Sequence, residues 1–155
     1  MATGIKYRNF KSTDKKIIAE LMKSLYRETS IKTPISDKNI NKTFSKLLHN
    51  PEKGRILILE KEKQIVGYCL LVNFWSNEYG GTVVIIDEIY IKHEFRGKNI
   101  GTSLIKSLIK NKFMKAVVLQ LEVKPSNIKV IKVYKKIGFK LSKNTHLIYH
   151  SANKP

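Results

Sequence analysis

A strand, a short basic loop and a helix follow one another between residues 83 and 109, and this succession constrains the fold more than any other stretch of the chain. The apolar run Val83–Ile91 is rich in β-branched residues and predicts a strand. A glycine-bearing loop at a helix N-terminus presents unpaired backbone N–H groups, which bind phosphate. The apolar residues after the loop recur at helical spacing: Ile100, Leu104, Ile105, Leu108 and Ile109.

The loop itself carries two cations and two glycines. Arg96 and Lys98 add positive charge, and Gly97 and Gly101 permit a positive φ or a close approach of the backbone. Asn99 belongs to the non-glycine type that best tolerates the left-handed conformation, so a tight turn is expected here. The alternatives are an ordinary turn without a ligand and a nucleotide-binding P-loop, whose closing Gly-Lys-Ser/Thr is absent.

A second segment, Asn127–Phe139, predicts a helix with a marked start and end. Asn127 caps its beginning and Gly138 follows its last turn. Tyr134 lies within this helix among many lysines. Taken singly, Asn127 is a helix-start residue and Tyr134 a core or rim tyrosine. A phenol near cations can also donate a proton to a departing thiolate.

Together the two segments resemble the acetyl-coenzyme A motifs of the GNAT N-acetyltransferases. Residues 96–101 follow the family pattern Gln/Arg-x-x-Gly-x-Gly/Ala, with Asn99 in place of the usual glycine. Residues 127–139 follow Asn-x-x-Ala-x-x-Leu-Tyr-x-x-x-Gly-Phe, with Val130 for Ala and Val133 for Leu. The resemblance implies the α+β GNAT acyl-CoA N-acyltransferase fold, a mixed, mostly antiparallel sheet of six or seven strands flanked by about four helices.

By its length the chain is expected to form a single N-acetyltransferase domain over residues 1–155. The resemblance implies that the strands Thr82–Ile91 and Ala116–Val123 run parallel and splay apart, with acetyl-CoA in the gap. Two final short strands are predicted at Phe139–Leu141 and His146–Tyr149.

The resemblance also implies which residues bind acetyl-CoA. The N–H groups from Lys98 to Thr102 would hold the pyrophosphate, and the backbone at 89–91 would pair with the pantetheine arm as an added strand does. The expected cofactor-binding residues are Ile89, Tyr90, Ile91, Arg96, Gly97, Lys98, Asn99, Ile100, Gly101, Thr102, Asn127 and Tyr134.

Three residues are expected to be catalytic. An acceptor amine is protonated at neutral pH and must lose a proton to a base before it attacks. Asp87 matches the family's frequent acidic residue on this strand, and Glu88 is the second choice. Because neighbours in a strand point to opposite faces, only one of them is expected to face a given cleft. Tyr134 would protonate the leaving thiolate, and a backbone N–H near Ile89 would stabilise the oxyanion.

The loop Trp75–Gly81 has two interpretations. It is either a hairpin turn with an edge-packed Trp75, or a substrate-binding element in which Trp75, Glu78 and Tyr79 contact the acceptor. Four acids between residues 78 and 94 would suit a cationic acceptor. A small polyamine- or aminoglycoside-like amine is therefore preferred, and the amine of a peptide or protein is the alternative.

The net charge of +18 suggests a rival function, because such a field attracts any polyanion. No RNA-binding aromatic pattern or helix-turn-helix accompanies it, so a nucleic-acid-binding module on the same fold remains only the alternative. No apolar run is long enough to span a membrane. The lone Cys69, in an apolar context, suits a buried side chain and a reducing cytoplasm. No histidines have metal-ligand spacing, so no metal is expected. The resemblance leaves a homodimer open.

Overall fold

Two compact units make up the chain, residues 1–122 and residues 123–155. The computed structural model describes residues 4–29 and 34–150. The first unit contains β1 (Ile5–Asn9), α1 (Lys15–Glu28), α2 (Asp37–His49), β2 (Gly54–Lys61), β3 (Gln64–Ser76), β4 (Gly81–Ile91), α3 (Ile100–Lys110) and β5 (Val118–Leu121). The second unit contains α4 (Ile128–Ile137), and short 3₁₀ turns lie at Ser12–Asp14, His93–Phe95 and Phe113–Lys115.

The sheet has the strand order β1-β2-β3-β4-β5, which is also the order along the chain. The first four strands pair antiparallel, whereas β5 pairs parallel to β4. A parallel neighbour needs a crossover connection, and α3 supplies it. The predicted mixed, mostly antiparallel sheet and its parallel pair are therefore confirmed.

The predicted strand count was too high, because the described residues form five strands rather than six or seven. Neither Phe139–Leu141 nor His146–Tyr149 is a strand in the structure. Leu147 and Tyr149 are 94% and 90% exposed. Apolar alternation alone forms no ladder, since a strand also requires a paired neighbour and a buried face.

Helices α1 and α2 cover one face of the sheet. Ile56 and Ile58 point to this face, while Leu57 and Leu59, which alternate with them, are also buried, so β2 is covered on both sides. The core on the helical face consists of Phe10, Ile18, Leu21, Met22, Ile40, Phe44, Ile56, Ile58, Tyr68, Leu70 and Tyr90. Helix α3 contacts β4 and buries Ile100, Leu104, Ile105 and Leu108.

Cys69 is fully buried in β3, as predicted. Burial, and then the charge of Glu88, raise the pKa of its thiol. The neutral thiol acts here as a small apolar side chain.

Candidate functional site

The loop between β4 and α3 turns tightly through two left-handed residues. Gly97 has a φ of +73° and Asn99 a φ of +57°. The predicted tolerance of Asn99 for this conformation is confirmed. The first helical bond of α3 runs from the N–H of Ser103 to the carbonyl of Asn99, at 2.9 Å. The amides just before Ser103 are those that a helix start leaves without an intrahelical acceptor, and this arrangement can bind a phosphate.

Gly101 allows α3 to begin against β4. A Cβ atom built at this position would lie 3.4 Å from the Cδ1 atoms of both Ile89 and Ile91. A larger side chain would have to displace these isoleucines or the helix start. A small residue is therefore required here because helix and strand approach each other closely, and not because of a positive φ.

Arg96 is held by three groups at the end of β4. Its Nε donates to the carbonyl of Ile91 at 2.7 Å, and its guanidinium pairs with Glu28 of α1 at 2.6 Å. The guanidinium carbon also lies 5.2 Å from the centre of the Tyr90 ring, and the Tyr90 hydroxyl donates to Glu28 at 2.8 Å. Partial burial of Glu28 acts the other way, but the bonds from Tyr90 and Arg96 keep its pKa below the usual value.

Glu28 was missed by the sequence analysis. It is 68 residues from Arg96, in a helix with no motif of its own, so no local pattern connects the two. Lys98, by contrast, bonds within the loop. Its Nζ donates to the carbonyl of Glu94 at 2.9 Å and lies 5.3 Å from the centre of the Phe95 ring. Both loop cations are therefore fixed close to the helix start.

The β5 side of β4 is only partly paired. The parallel register runs from Val83 with Val118 to Ile86 with Leu121 and then stops, although β4 continues to Ile91. Pairing stops because β5 ends at Leu121, and the splaying of the two strands that the resemblance implies stays a prediction.

The direction of the backbone groups shows which residues of β4 present their N–H and C=O groups at that edge. The N–H of Lys92 donates to the carbonyl of Val66, on the β3 side, at 2.9 Å. Alternate residues of a strand direct their backbone groups to the same side. Tyr90 therefore faces β3, and Ile89 and Ile91 face the open edge. Of the three residues expected to pair with a ligand here, Tyr90 instead contributes its side chain to the Arg96 cluster.

A β-bulge lies at the two acidic residues of β4. Leu70 pairs with Glu88 and Leu71 with Ile86, so Asp87 is an extra residue without a partner. Asp87 lines a groove with Leu70, and Glu88 bonds to Tyr68, which shares the core with α1 and α2. Both acids thus lie on the same face of the sheet. The bulge interrupts the two-residue period here, so the two acids do not alternate between faces, although only Asp87 of the two lines the groove.

Glu88 is half-buried and accepts a hydrogen bond from the Tyr68 hydroxyl at 2.7 Å. Burial raises its pKa, while bonds from Tyr68 and Tyr26 of α1 act against the increase. Burial and the Glu88 charge in turn raise the pKa of Tyr26 to about 12. The carboxylate is therefore committed to two phenols that stay protonated at neutral pH. Neither tyrosine was singled out from the sequence.

Asp87 lies in an open groove of about 700 Å³ between α2 and the β3–β4 strands. Lys42, Lys46 and His49 of α2 form one side, and Leu70 and Val72 of β3 lie beneath. The residue is exposed as a whole, but desolvation of its carboxyl, and then the charge of Glu122, raise its pKa. A carboxylate with a raised pKa is a better proton acceptor for an ammonium group.

The residues Trp75, Glu78 and Tyr79 are not brought to this groove. Trp75 pairs with Thr82 near the end of the β3–β4 hairpin, and Tyr79 lies in its turn, where its N–H contacts the Ser76 hydroxyl. At roughly 3.3 Å per residue, the six residues from Gly81 to Asp87 extend about 20 Å. The segment forms the hairpin turn of the first interpretation, but Trp75 is 71% exposed and is not packed against the sheet edge.

The second unit contains the predicted helix with its caps. The Asn127 side chain accepts a bond from the N–H of Val130, and Gly138 ends α4 with a φ of +117°. The carbonyl of Tyr134 accepts bonds from the N–H groups of Gly138 and Phe139. The ring of Tyr134 lies 5.7 Å from that of Phe139. The helix-start and helix-end predictions are confirmed.

Two further properties concern the described residues only. Their histidine, cysteine, aspartate and glutamate side chains form no group of three or more that could hold a metal ion. Among the same residues, no helix combines the length and apolar character needed to cross a membrane.

Comparison with known proteins identifies relatives of the chain. Residues 17–139 match the model of the Acetyltransferase (GNAT) family. A Bacillus subtilis (strain 168) protein, provisionally named ribosomal protein bS18-alanine N-acetyltransferase, is 33% identical over 101 residues. That match covers 61% of this chain and 59% of the relative, less than two thirds of its length.

Solved structures share the fold at lower identity. One is of a possible acetyltransferase from Clostridium difficile 630, with a TM-score of 0.84, 21% identity, and coverage of 96% of this chain and 99% of that chain. Another, of a predicted acetyltransferase from Clostridium acetobutylicum with acetyl-CoA, has a TM-score of 0.76, 20% identity, and coverage of 94% and 96%. At these identities the likeness shows the fold alone, and it confirms the fold expected from the sequence.

Proposed function

The chain belongs to the GNAT family of acetyltransferases, and from this premise we propose that it moves an acetyl group from acetyl-CoA directly to a primary amine. The proposal rests mainly on one observation: a left-handed turn precedes α3, beside the edge of β4 that β5 does not pair with. This combination offers amide donors for a diphosphate and, next to them, a strand edge for an extended amide chain.

The fit to acetyl-CoA rests on the loop and the strand edge. The amides of residues 98–102 would bind the diphosphate, with Arg96 and Lys98 beside them. The carbonyl of Ile89 and the N–H of Ile91 would pair with the pantetheine arm, since the Ile91 carbonyl already accepts from Arg96, and the N–H of Ile89 would donate to the thioester oxygen as negative charge develops. Acetyl-CoA would supply the activated acetyl group.

Asp87 is the proposed general base. It lies in the groove without an ion-pair partner among the described residues, and its pKa is raised. Glu88 is already bonded to two tyrosines, so the second-choice acid is better suited to hold the bulge in place. An ammonium group entering the groove would pass one proton to Asp87, directly or through water, before its nitrogen attacks.

Tyr134 is the proposed general acid, and Asn127 a cofactor contact. Both roles rest on the match to the family motif. Tyr134→Phe should retain acetyl-CoA binding and slow turnover, because only the phenolic proton is removed. Equal turnover by both proteins, measured as free coenzyme A release, would remove Tyr134 from the mechanism.

The expectation of a cationic acceptor depended on a cluster of four acids, and the structure separates them. Glu78 lies in the hairpin turn, Glu88 bonds to the tyrosines, and Glu94 lies in the short turn after β4. Of these four acids, only Asp87 lines the groove. The cluster of acids that favoured a polyamine- or aminoglycoside-like acceptor is therefore not present in the groove. A protein N-terminal amine is a second candidate, because the Bacillus subtilis relative is named for an alanine acceptor.

The test of the proposed function is coenzyme A release with acetyl-CoA and a panel of amines. We expect acetyl-CoA to raise the melting temperature and at least one amine to release the free thiol. Gly101→Leu should abolish the thermal shift, since its side chain would meet Ile89 and Ile91. Tight acetyl-CoA binding without turnover on any amine would contradict an active enzyme.

A further inference from the structure

We propose that the groove between α2 and the β3–β4 strands selects a small primary amine that also carries an anionic group, a carboxylate or a phosphate. This inference rests on the proposed function, because it assigns the substrate class of the same site. The proposed acceptor differs from the polycationic amine that the sequence favoured, because it carries an anionic group beside its single amine.

The first observation is the single acid in the groove. Of the residues that line it, only Asp87 is acidic. None of the ion pairs in the described part of the chain involves Asp87. One carboxylate matches one ammonium group, whereas a polyamine would bring several cations to a site with one counter-charge.

The second observation is the basic side of the groove. Lys42 and Lys46 are one helical turn apart on α2 and therefore lie on the same face. Both are exposed, both line the groove, and neither takes part in an ion pair in the described residues. His49 extends the same side by nearly another turn. Such a side would attract a carboxylate or phosphate and repel a polycation.

The third observation is the space between these charges. The groove volume of about 700 Å³ is that of a small-molecule pocket. Leu47, Leu70 and Val72 contribute apolar surface to its lining. A short carbon skeleton could rest on this surface with its amine toward Asp87 and its anion toward Lys42 and Lys46. A polycation would fit the volume but would bring several positive charges to a groove with one carboxylate.

The test compares matched pairs of amines with and without the anion. The probes are O-phosphoethanolamine against ethanolamine, 4-aminobutyrate against butylamine, and spermidine as the polycation. We expect kcat/KM to be about five- to tenfold higher for the anionic member of at least one pair, as two partly exposed ion pairs would give. The variant Lys42→Gln/Lys46→Gln should reduce that ratio to about one, mainly through KM.

The matched control is Lys15→Gln/Lys16→Gln, which removes the same charge from exposed positions of α1. It should leave the ratio unchanged, because these lysines do not line the groove. A ratio that falls equally in both variants would overturn the inference and show a general field effect. Preference of the wild type for ethanolamine, butylamine or spermidine would also overturn it.

A binding measurement separates this inference from the proposed function. If no amine is acetylated, titration of O-phosphoethanolamine into ¹⁵N-labelled protein with coenzyme A still reports on the groove. Shifts of α2 resonances that vanish in Lys42→Gln/Lys46→Gln would support the inference while the enzymatic function fails. Absence of such shifts overturns it. An N-terminal peptide that outcompetes both anionic amines would likewise reject a small acceptor.

Discussion

At the scale of single residues, Asp87 and Glu88 show how two neighbouring acids acquire different properties. Glu88 is bonded to Tyr68 and Tyr26, whereas Asp87 lies in the groove without an ion pair among the described side chains. Their type and position on the strand are evident from the sequence. The sequence does not show which acid bonds to the tyrosines and which lies in the groove, because this depends on a bulge and on tyrosines that are distant along the chain.

Asp87→Asn should lower kcat/KM for the amine by about 10²–10⁴-fold, as loss of a general base does. Acetyl-CoA affinity should not change, because Asp87 is not among the proposed cofactor contacts. Steady-state kinetics and calorimetry would measure the two effects. Similar losses in both quantities would indicate a misfolded site and not a missing base.

Glu88→Gln is the matched comparison at the adjacent residue. The amide oxygen can still accept from the tyrosines, and a half-buried charge is removed, so the free energy of unfolding should change by less than about 1 kcal/mol. Turnover should fall far less than in Asp87→Asn. Urea unfolding and the same kinetic assay would detect the opposite outcome, in which Glu88 is the base.

The pH dependence of catalysis should follow Asp87. Since its pKa is raised, the carboxylate forms at a higher pH than that of an ordinary aspartate, and kcat/KM should rise with pH through that shifted value. The ordinary value is about 3.9. An acid limb at or below this value in the kcat/KM profile would contradict the assignment.

At the scale of elements, the β4–loop–α3 succession was the most predictable part of the molecule. Apolar β-branched residues, a glycine-bearing turn and helical spacing all concern neighbours in sequence. Helix α4 was predictable for the same reason, through Asn127 and Gly138. Two contacts were not predictable, because they join segments that are distant in sequence. They are the ion pair of Glu28 in α1 with Arg96 and the position of α2 beside Asp87.

Asn99 provides a test of the loop geometry. Asn99→Gly should retain acetyl-CoA binding, whereas Asn99→Val should weaken it, because a β-branched residue is strained by about 1–2 kcal/mol at a positive φ. That strain corresponds to about a five- to thirtyfold increase in Kd. Equal affinities of the two variants, measured by calorimetry, would show that the turn is not needed for binding.

At the scale of the whole molecule, the chain carries a net charge of +18. Ion pairs leave this net charge unchanged, and among the described pairs the most buried acid is Asp14, which pairs locally with Arg8. Asp14 is 6% exposed and accepts from Arg8 at 2.7 and 2.9 Å. The bond from Arg8 is the main reason that the pKa of Asp14 is lowered, although burial opposes it.

Asp14→Asn should reduce the free energy of unfolding by about 1–3 kcal/mol at pH 7. A lowered pKa stabilises the fold above the unfolded value, about 3.9, and this contribution is lost as the pH falls through the folded value. The difference between variant and wild type should therefore shrink below about pH 4. Asp37→Asn is the control, because its carboxylate is 72% exposed and its pair with Lys23 is partly exposed, and its effect in urea titrations should stay below about 1 kcal/mol.

The bulge at Asp87 has a consequence for how the chain can diverge. A one-residue insertion or deletion that removes the bulge would change the face of the sheet to which the side chains of the rest of β4 point, while the pairing of β1, β2 and β3 and the helices α1 and α2 would persist. Point substitutions leave that orientation intact. The proposed chemistry would then depend on residue count as much as on residue identity, and homologues that carry two adjacent acids on this strand without a bulge should be stable proteins without the activity.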